Sequence, residues 1–90
     1  MSKESKLTVL LEERQWLSNQ ISRYPQGYIN IKSIYGQNYY YLQHREGKRV
    51  ISVYVPKEQV KILARRIKMR KFLESQLRSV KQELRAIKAR

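Results

Sequence analysis

The chain has 90 residues, of which 41% are hydrophobic and 30% are charged, a composition typical of one small folded domain. It contains no cysteine, which excludes disulfides, thiolate metal sites and thiol catalysis. Its 20 Lys and Arg residues outnumber 7 Asp and Glu residues, and the net charge of +13 indicates an anionic partner.

The positive charge increases along the chain. Residues 1–22 carry three basic and three acidic side chains, residues 23–56 five and one, and residues 57–90 twelve and three. This gradient predicts a surface that faces a polyanion, and it leaves nucleic acid, an anionic membrane surface and an acidic protein as alternatives. No apolar run is long enough to span a membrane, and the N-terminus lacks the pattern of a signal peptide, so we expect a cytoplasmic protein without membrane contact.

The first predicted element is a helix over residues 6–22. Apolar residues recur there at three- and four-residue spacing, which places them on one helical face: Leu7, Leu10, Leu11, Leu17 and Ile21. The segment RYPQG ends the helix, because proline disfavours a helical conformation in the residue before it and glycine suits a turn.

A three-stranded antiparallel meander is predicted over residues 28–55. The segments YINIKSIY, YYYLQHR and RVISVYV are rich in β-branched and aromatic residues, and GQN and EGK separate them as short turns. If EG is a two-residue loop, Arg45 lies opposite Lys48, Leu42 opposite Ile51 and Tyr40 opposite Val53. A three-residue loop would shift the register by one residue and mix the two faces.

The preferred register separates the two faces of the sheet. One face then carries Tyr40, Leu42, Ile51, Val53 and Val55, and the other carries Tyr39, Tyr41, Gln43, Val50, Ser52 and Tyr54. The first set is a core for a helix. The second is an aromatic, polar surface, although tyrosine also favours strands for packing reasons alone.

Residues 57–90 contain no Pro or Gly and are predicted to form one long helix with two apolar stripes. Val60, Leu63 and Ile67 suit the sheet, whereas Leu73, Leu77, Val80, Leu84 and Ile87 suit the first helix, antiparallel to it. The predicted fold is therefore α+β, an αβββα single domain with a helical hairpin. Because the second stripe has heptad spacing, a coiled-coil homodimer is the alternative to packing within a monomer.

Basic residues form a further stripe on the long helix, suited to a phosphate backbone or to solvent: Lys57, Lys61, Arg65, Lys68, Lys71, Arg78, Lys81, Arg85 and Lys88. Arg66 and Arg70 interrupt the apolar stripes. Their side chains either extend to the surface or point into a ligand-facing notch.

No catalytic constellation is visible in the sequence. His44 is the single histidine, the glutamates form no obvious acid–base pair, and neither a phosphate-loop motif nor a cluster of metal ligands occurs. We therefore expect no enzyme activity and no cofactor.

The segment YYYLQHREGKRVISVYVPKEQV and the basic helix after it resemble a family of small uncharacterised prokaryotic proteins. The matching residues are Tyr39, Tyr40, Tyr41, Leu42, Gly47, Lys48, Val53, Tyr54, Val55, Pro56, Lys57 and Glu58. Many members carry a cysteine-bearing insert before the tyrosine run, where this chain has only SIYGQN. The resemblance implies the helix–meander–helix layout and no metal site, and it implies no activity.

The sequence predicts a nucleic-acid-binding protein, an accessory or regulatory factor of a prokaryote or a mobile element. Exposed tyrosines would favour RNA or single-stranded DNA, and buried ones duplex DNA bound by the helix. The alternative is a protein-interaction module that dimerises or binds an acidic partner. The predicted contact residues are Lys32, Tyr39, Tyr41, Arg45, Lys48, Arg49, Tyr54, Lys61, Arg65, Arg66, Lys68, Arg70 and Lys71.

Overall fold

The structure, a computed structural model, describes residues 3–88 and the side chains of residues 5–88. Its elements are α1 (Lys3–Ile21), β1 (Tyr28–Ile34), β2 (Gln37–Glu46), β3 (Arg49–Val55), a 3-10 turn (Lys57–Gln59) and α2 (Val60–Lys88). The predicted αβββα order is confirmed. The last two residues of the predicted second helix lie outside the described residues.

The chain forms two compact units. We call residues 3–24 and 70–88 the helical unit and residues 25–69 the sheet unit. The helix α2 contributes to both, with residues 60–69 in the sheet unit and the remainder in the helical unit.

The core of the helical unit joins the apolar faces of α1 and α2. Its buried side chains are Leu10, Leu17, Ile21, Leu73, Val80 and Leu84, and five partly buried ones pack against them: Leu7, Leu11, Tyr24, Leu77 and Ile87. The second apolar stripe of α2 is therefore covered by α1 of the same chain. This confirms the helical hairpin that was predicted ahead of the intermolecular coiled coil.

Two-residue turns join the three strands, which lie in the order β1-β2-β3. Tyr35 and Gly36 form the first turn, both with positive φ (51° and 78°), as a type I′ turn requires. Gly47 (φ 60°) and Lys48 form the second, with glycine at the first loop position as in a type II′ turn. Both turn types match the right-handed twist of the flanking strands.

The predicted pairing of β2 with β3 was wrong by two residues. Glu46 lies opposite Arg49, Leu42 opposite Val53 and Tyr40 opposite Val55. The predicted EG loop would have put a glutamate at the loop position that needs positive φ, whereas the observed Gly47-Lys48 loop puts glycine there. A displacement of two residues preserves the side-chain alternation, so the predicted faces keep their residues.

The sheet has one face that α2 partly covers and one face that is open. Val55 and Ile67 are buried, and Leu63 of α2 lies with Leu42 and Val55 of the sheet along one groove. This face, here called the helix-side face, carries Ile29, Ile31, Tyr40, Leu42, His44, Ile51, Val53 and Val55. The first apolar stripe of α2 thus covers part of the predicted aliphatic set.

Candidate nucleic-acid interface

The opposite face of the sheet collects four tyrosines from three strands. The register places Tyr28 of β1, Tyr39 and Tyr41 of β2, and Tyr54 of β3 on the same side. We call this surface the tyrosine face. Its other members are Asn30, Lys32, Ile34, Gln37, Gln43, Arg45, Val50 and Ser52.

Two of the four rings are open to solvent. Tyr28 and Tyr54 are each 55% exposed, whereas Tyr39 and Tyr41 on the central strand are only partly exposed. Tyr28 and Tyr54 lie on the two edge strands, and these strands are roughly 10 Å apart because the central strand lies between them. The tyrosine face therefore presents accessible rings at its margins around a more closely packed centre.

Neighbouring side chains fix the orientation of these rings. Tyr41 and Tyr54, a directly opposed pair, meet edge to face with ring centroids 5.9 Å apart and planes at 71°. The Tyr28 hydroxyl donates to Oε1 of Gln43 at 2.9 Å, and Nε2 of Gln43 donates to Oγ of Ser52 at 3.4 Å. This chain crosses all three strands, so the rings are held before any ligand arrives.

A lysine already occupies the face of one central ring. Nζ of Lys32 lies 4.8 Å from the centroid of the Tyr41 ring, within the range of a cation–π interaction. The Tyr39 hydroxyl donates to Oε1 of Gln37 at 3.1 Å. The central tyrosines thus have partners within the sheet, and the edge tyrosines offer the more open ring surfaces.

The predicted contact residues fall into separate groups. Tyr39, Tyr41 and Tyr54 share the tyrosine face, as predicted from their spacing, and Lys32 and Arg45 lie on the same face. Lys48 lies in the second turn, and Arg49 lies opposite Glu46 at the end of that hairpin.

The predicted contact residues of α2 are divided between the two units. Lys61, Arg65, Arg66 and Lys68 are exposed on the part of α2 within the sheet unit, and Arg66 lines the groove on the helix-side face. Arg70 and Lys71 belong to the helical unit. The structure therefore brings five of the thirteen predicted residues together on one sheet face.

Arg70 has a structural role in the helical unit. Its Nη1 donates to the carbonyl oxygens of Ile21 (3.1 Å) and Tyr24 (2.7 Å), and its Nε lies 3.4 Å from the Glu74 carboxylate. The last carbonyls of a helix lack intrahelical partners, and the last turn of α1 contains no basic residue of its own. Arg70 caps that end of α1 from the other helix.

One exposed tyrosine of the tyrosine face was missed in the prediction of the site. Tyr28 joins the tyrosine face because the turn at Tyr35-Gly36 pairs Tyr28 with Gln43. Tyr35 is fully exposed at the tip of the first hairpin, away from that face. Placing Gly36 at the second position of a two-residue turn, rather than in a GQN loop, would have given this register from the sequence.

The described part of the chain offers no metal centre and no membrane span. Among residues 3–88, no three His, Asp or Glu side chains are grouped so as to hold a metal ion. Neither helix, over the same residues, combines the length and the apolar character needed to cross a bilayer.

A family model described as a domain of unknown function (DUF6788) matches residues 7–65 of this chain. The match covers α1 from Leu7 onward, the whole meander and the first six residues of α2. The chain therefore belongs to this family. No curated protein and no solved structure shows significant similarity to it.

Proposed function

We propose that this protein is a non-enzymatic module that binds single-stranded RNA or DNA through the tyrosine face. The observation that carries the proposal is the grouping of four tyrosine rings with Lys32 and Arg45 on one face of a sheet. Exposed aromatic rings stack on unpaired bases, and nearby cations neutralise phosphates. The bases of a duplex are already stacked on one another, so exposed rings on a sheet face favour the single strand.

The edge tyrosines are assigned to stacking. Tyr28 and Tyr54 expose more than half of their surface, and hydrogen bonding or edge-to-face packing fixes their rings. Ordering the rings in advance lowers the entropy cost of binding. Each ring would receive one base of a strand that crosses the sheet.

The cations are assigned to the phosphates. Nine basic and two acidic residues occur in residues 25–69, so the sheet unit is strongly positive as a whole. Lys32 rests over Tyr41 in the free protein, and it would leave this ring to pair with a phosphate as a base approaches. Tyr41 would then become a third stacking position.

The biological setting is part of the same proposal. The resemblance in the hairpin and the following helix is to small prokaryotic proteins, and the chain carries no recognisable catalytic constellation. We assign the module to the accessory or regulatory proteins of a prokaryote or of its mobile elements, acting in the cytoplasm.

The test is fluorescence anisotropy with labelled single-stranded and duplex RNA and DNA over a salt series. We expect single strands to bind more tightly than duplexes, with a log–log salt slope of roughly 0.7 per phosphate contacted. Tyr28→Ala and Tyr54→Ala should each weaken single-strand binding about tenfold and leave the salt slope unchanged, because a stacked base is lost rather than a charge. Lys32→Gln should lower the slope by about one contact.

Tyr35→Asn is the matched control, since it removes an exposed ring outside the tyrosine face and asparagine tolerates positive φ. Its affinity should equal that of the unmodified protein. Equal losses for Tyr35→Asn and Tyr54→Ala, or equal affinity for all four nucleic acids, would contradict stacking on this face.

A groove on the helix-side face supports a second candidate function, the binding of an acidic protein segment. The groove has a volume of about 430 Å³ and is lined by residues that include Leu42, Val55, Leu63 and Arg66. Val53 and Ile62, which also line it, are 52% and 61% exposed. An amphipathic helix with carboxylates on its polar side fits an apolar groove beside an arginine.

The second candidate has its own test. A labelled amphipathic peptide carrying leucines on one face and glutamates on the other should bind, and a scrambled peptide of the same composition should not. Ile62→Glu should abolish peptide binding, whereas Tyr28→Ala should leave peptide binding unchanged, because Ile62 lines the groove and Tyr28 does not. Equal binding of both peptides would exclude the groove.

A further inference from the structure

The helical unit contains a group of four cations around one small pocket. Arg14 of α1 and Lys81, Arg85 and Lys88 of α2 line it, and the buried Leu84 completes its lining. Its volume is about 170 Å³. The four positive charges therefore belong to side chains that surround one small space.

These charges are not neutralised by the protein. Within residues 5–88, no ion pair or hydrogen bond joins any of the four cations to a carboxylate. Arg70 of the same unit, by contrast, has a carboxylate partner in Glu74. Four like charges around one pocket destabilise the free protein and are compensated when an anion enters.

Arg14 occupies a position that the helix pattern reserves for an apolar residue. It lies four residues after Leu10 and three before Leu17, both of which are buried in the core against α2. A leucine there would continue the apolar stripe of α1 from Leu7 to Ile21. An arginine in that stripe lowers the stability of the packing between the helices, and a ligand-binding role explains why an arginine is present there.

The position of the other cations has only a partial structural explanation. Arg85 and Lys88 lie in the last turn of α2, where positive charge is favourable beside the helix C-terminus. This explanation does not extend to Lys81, one turn earlier, or to Arg14 on the other helix.

We propose that Arg14, Lys81, Arg85 and Lys88 form a binding site for a phosphate-bearing anion with two or more negative charges. Guanidinium groups hold phosphate oxygens in bidentate hydrogen bonds, and ammonium groups add point charges. The anion is either a free polyphosphate or a phosphate of a polynucleotide backbone. The site lies in the helical unit and does not depend on the function proposed for the tyrosine face.

Inorganic pyrophosphate and a single-stranded oligonucleotide are the two probes, each titrated calorimetrically at matched ionic strength. The test variant is Arg14→Gln/Lys81→Gln, and the control is Lys6→Gln/Arg78→Gln, which removes the same two charge types from exposed positions of the same helices. We expect the test variant to bind a probe at least about tenfold more weakly than the control does.

The two probes distinguish the source of the phosphate. If the test variant binds pyrophosphate more weakly than the control does, whether or not oligonucleotide binding is also weakened, the site is assigned to free polyphosphate. A selective loss of oligonucleotide binding alone assigns it to a nucleic-acid backbone. Equal affinities of test and control variants for both probes, or no binding of either probe by the unmodified protein, would overturn the proposal.

Arg14→Leu gives a second measurement that does not depend on affinity alone. Leucine completes the apolar stripe and removes one repelling charge, so the melting temperature without ligand should rise above that of the unmodified protein. The probe that binds the unmodified protein raises its melting temperature, and this increase should be absent in Arg14→Leu. An arginine with a purely structural role would instead give a lower melting temperature and an unchanged response to the probe.

Discussion

The helical unit and the sheet unit use their apolar residues in different ways. Of the eight apolar side chains buried among the described residues, six belong to the helical unit, and only Val55 and Ile67 belong to the sheet unit. Of the twelve large apolar side chains that are exposed, nine belong to the sheet unit. The helical unit buries most of its apolar surface, whereas the sheet unit exposes much of its own to solvent.

This difference follows from geometry. Two helices with matching apolar stripes cover each other along their length. A three-stranded sheet has two faces, and residues 60–69 of α2 cover only part of one of them. The other face is left with its tyrosines. We infer that stability is concentrated in the helical unit, whereas the sheet unit leaves much of its apolar and aromatic surface exposed.

The largest expected effect is from Leu17→Ala in the helical core. Leu17 is 3% exposed, so the substitution leaves a cavity and should lower the free energy of unfolding by about 3 kcal/mol. Urea denaturation followed by circular dichroism measures this change. Val53→Ala in the sheet unit, where the side chain is 52% exposed, should cost less than about 1 kcal/mol. Comparable losses would contradict the contrast between the units.

Gly27→Ala tests a constraint within the sheet unit. Gly27 has φ of 110°, and a Cβ atom there would overlap the carbonyl oxygen of Gln43 on β2. We expect a loss of about 2 kcal/mol and faster hydrogen exchange in β1 and β2. Gly47→Ala is the control, since its φ is also positive but no atom lies near the added methyl group, and it should cost about 1 kcal/mol.

Arg70→Ala tests whether the cap that Arg70 provides stabilises the end of α1. It removes two hydrogen bonds to the carbonyl oxygens at the end of α1 and should cost about 1.5 kcal/mol. Hydrogen exchange should accelerate at the amides of Arg23 and Tyr24, which bond to Gln20 and Ile21 in that last turn. Arg70→Lys keeps the charge but not the several donors of the guanidinium group, so it should lower the free energy of unfolding less than Arg70→Ala does. Unchanged exchange in Arg70→Ala would show that α1 does not depend on this cap.

Much of the fold could be predicted because its signals are local. The three- and four-residue spacing of leucines predicts both helices, and the β-branched and aromatic runs between glycine turns predict the three strands. The division of β2 and β3 into two faces also survived an error of two residues in their pairing, because side chains alternate with a period of two. Tyr39, Tyr41 and Tyr54 were assigned to one face for this reason.

The missed parts of the site depend on pairings between distant residues. Tyr28 joins the tyrosine face only through the register of β1 with β2, and that register is set by the turn at Tyr35-Gly36. Arg14 gives a signal in the sequence as the one charge in the stripe from Leu7 to Ile21. Its cationic neighbours on α2 are identified only when the two helices pack together.

The sequence by itself determined the order of elements, the excess of positive charge and the residues of each strand that share a face. These properties depend on spacings of two to four residues and on composition. Only the tertiary structure decided that Arg70 caps a helix from 46 and 49 residues away, and that Arg14 shares a pocket with three cations of α2. The reason is physical: such contacts arise from strand register and helix packing, which place side chains that no local spacing relates.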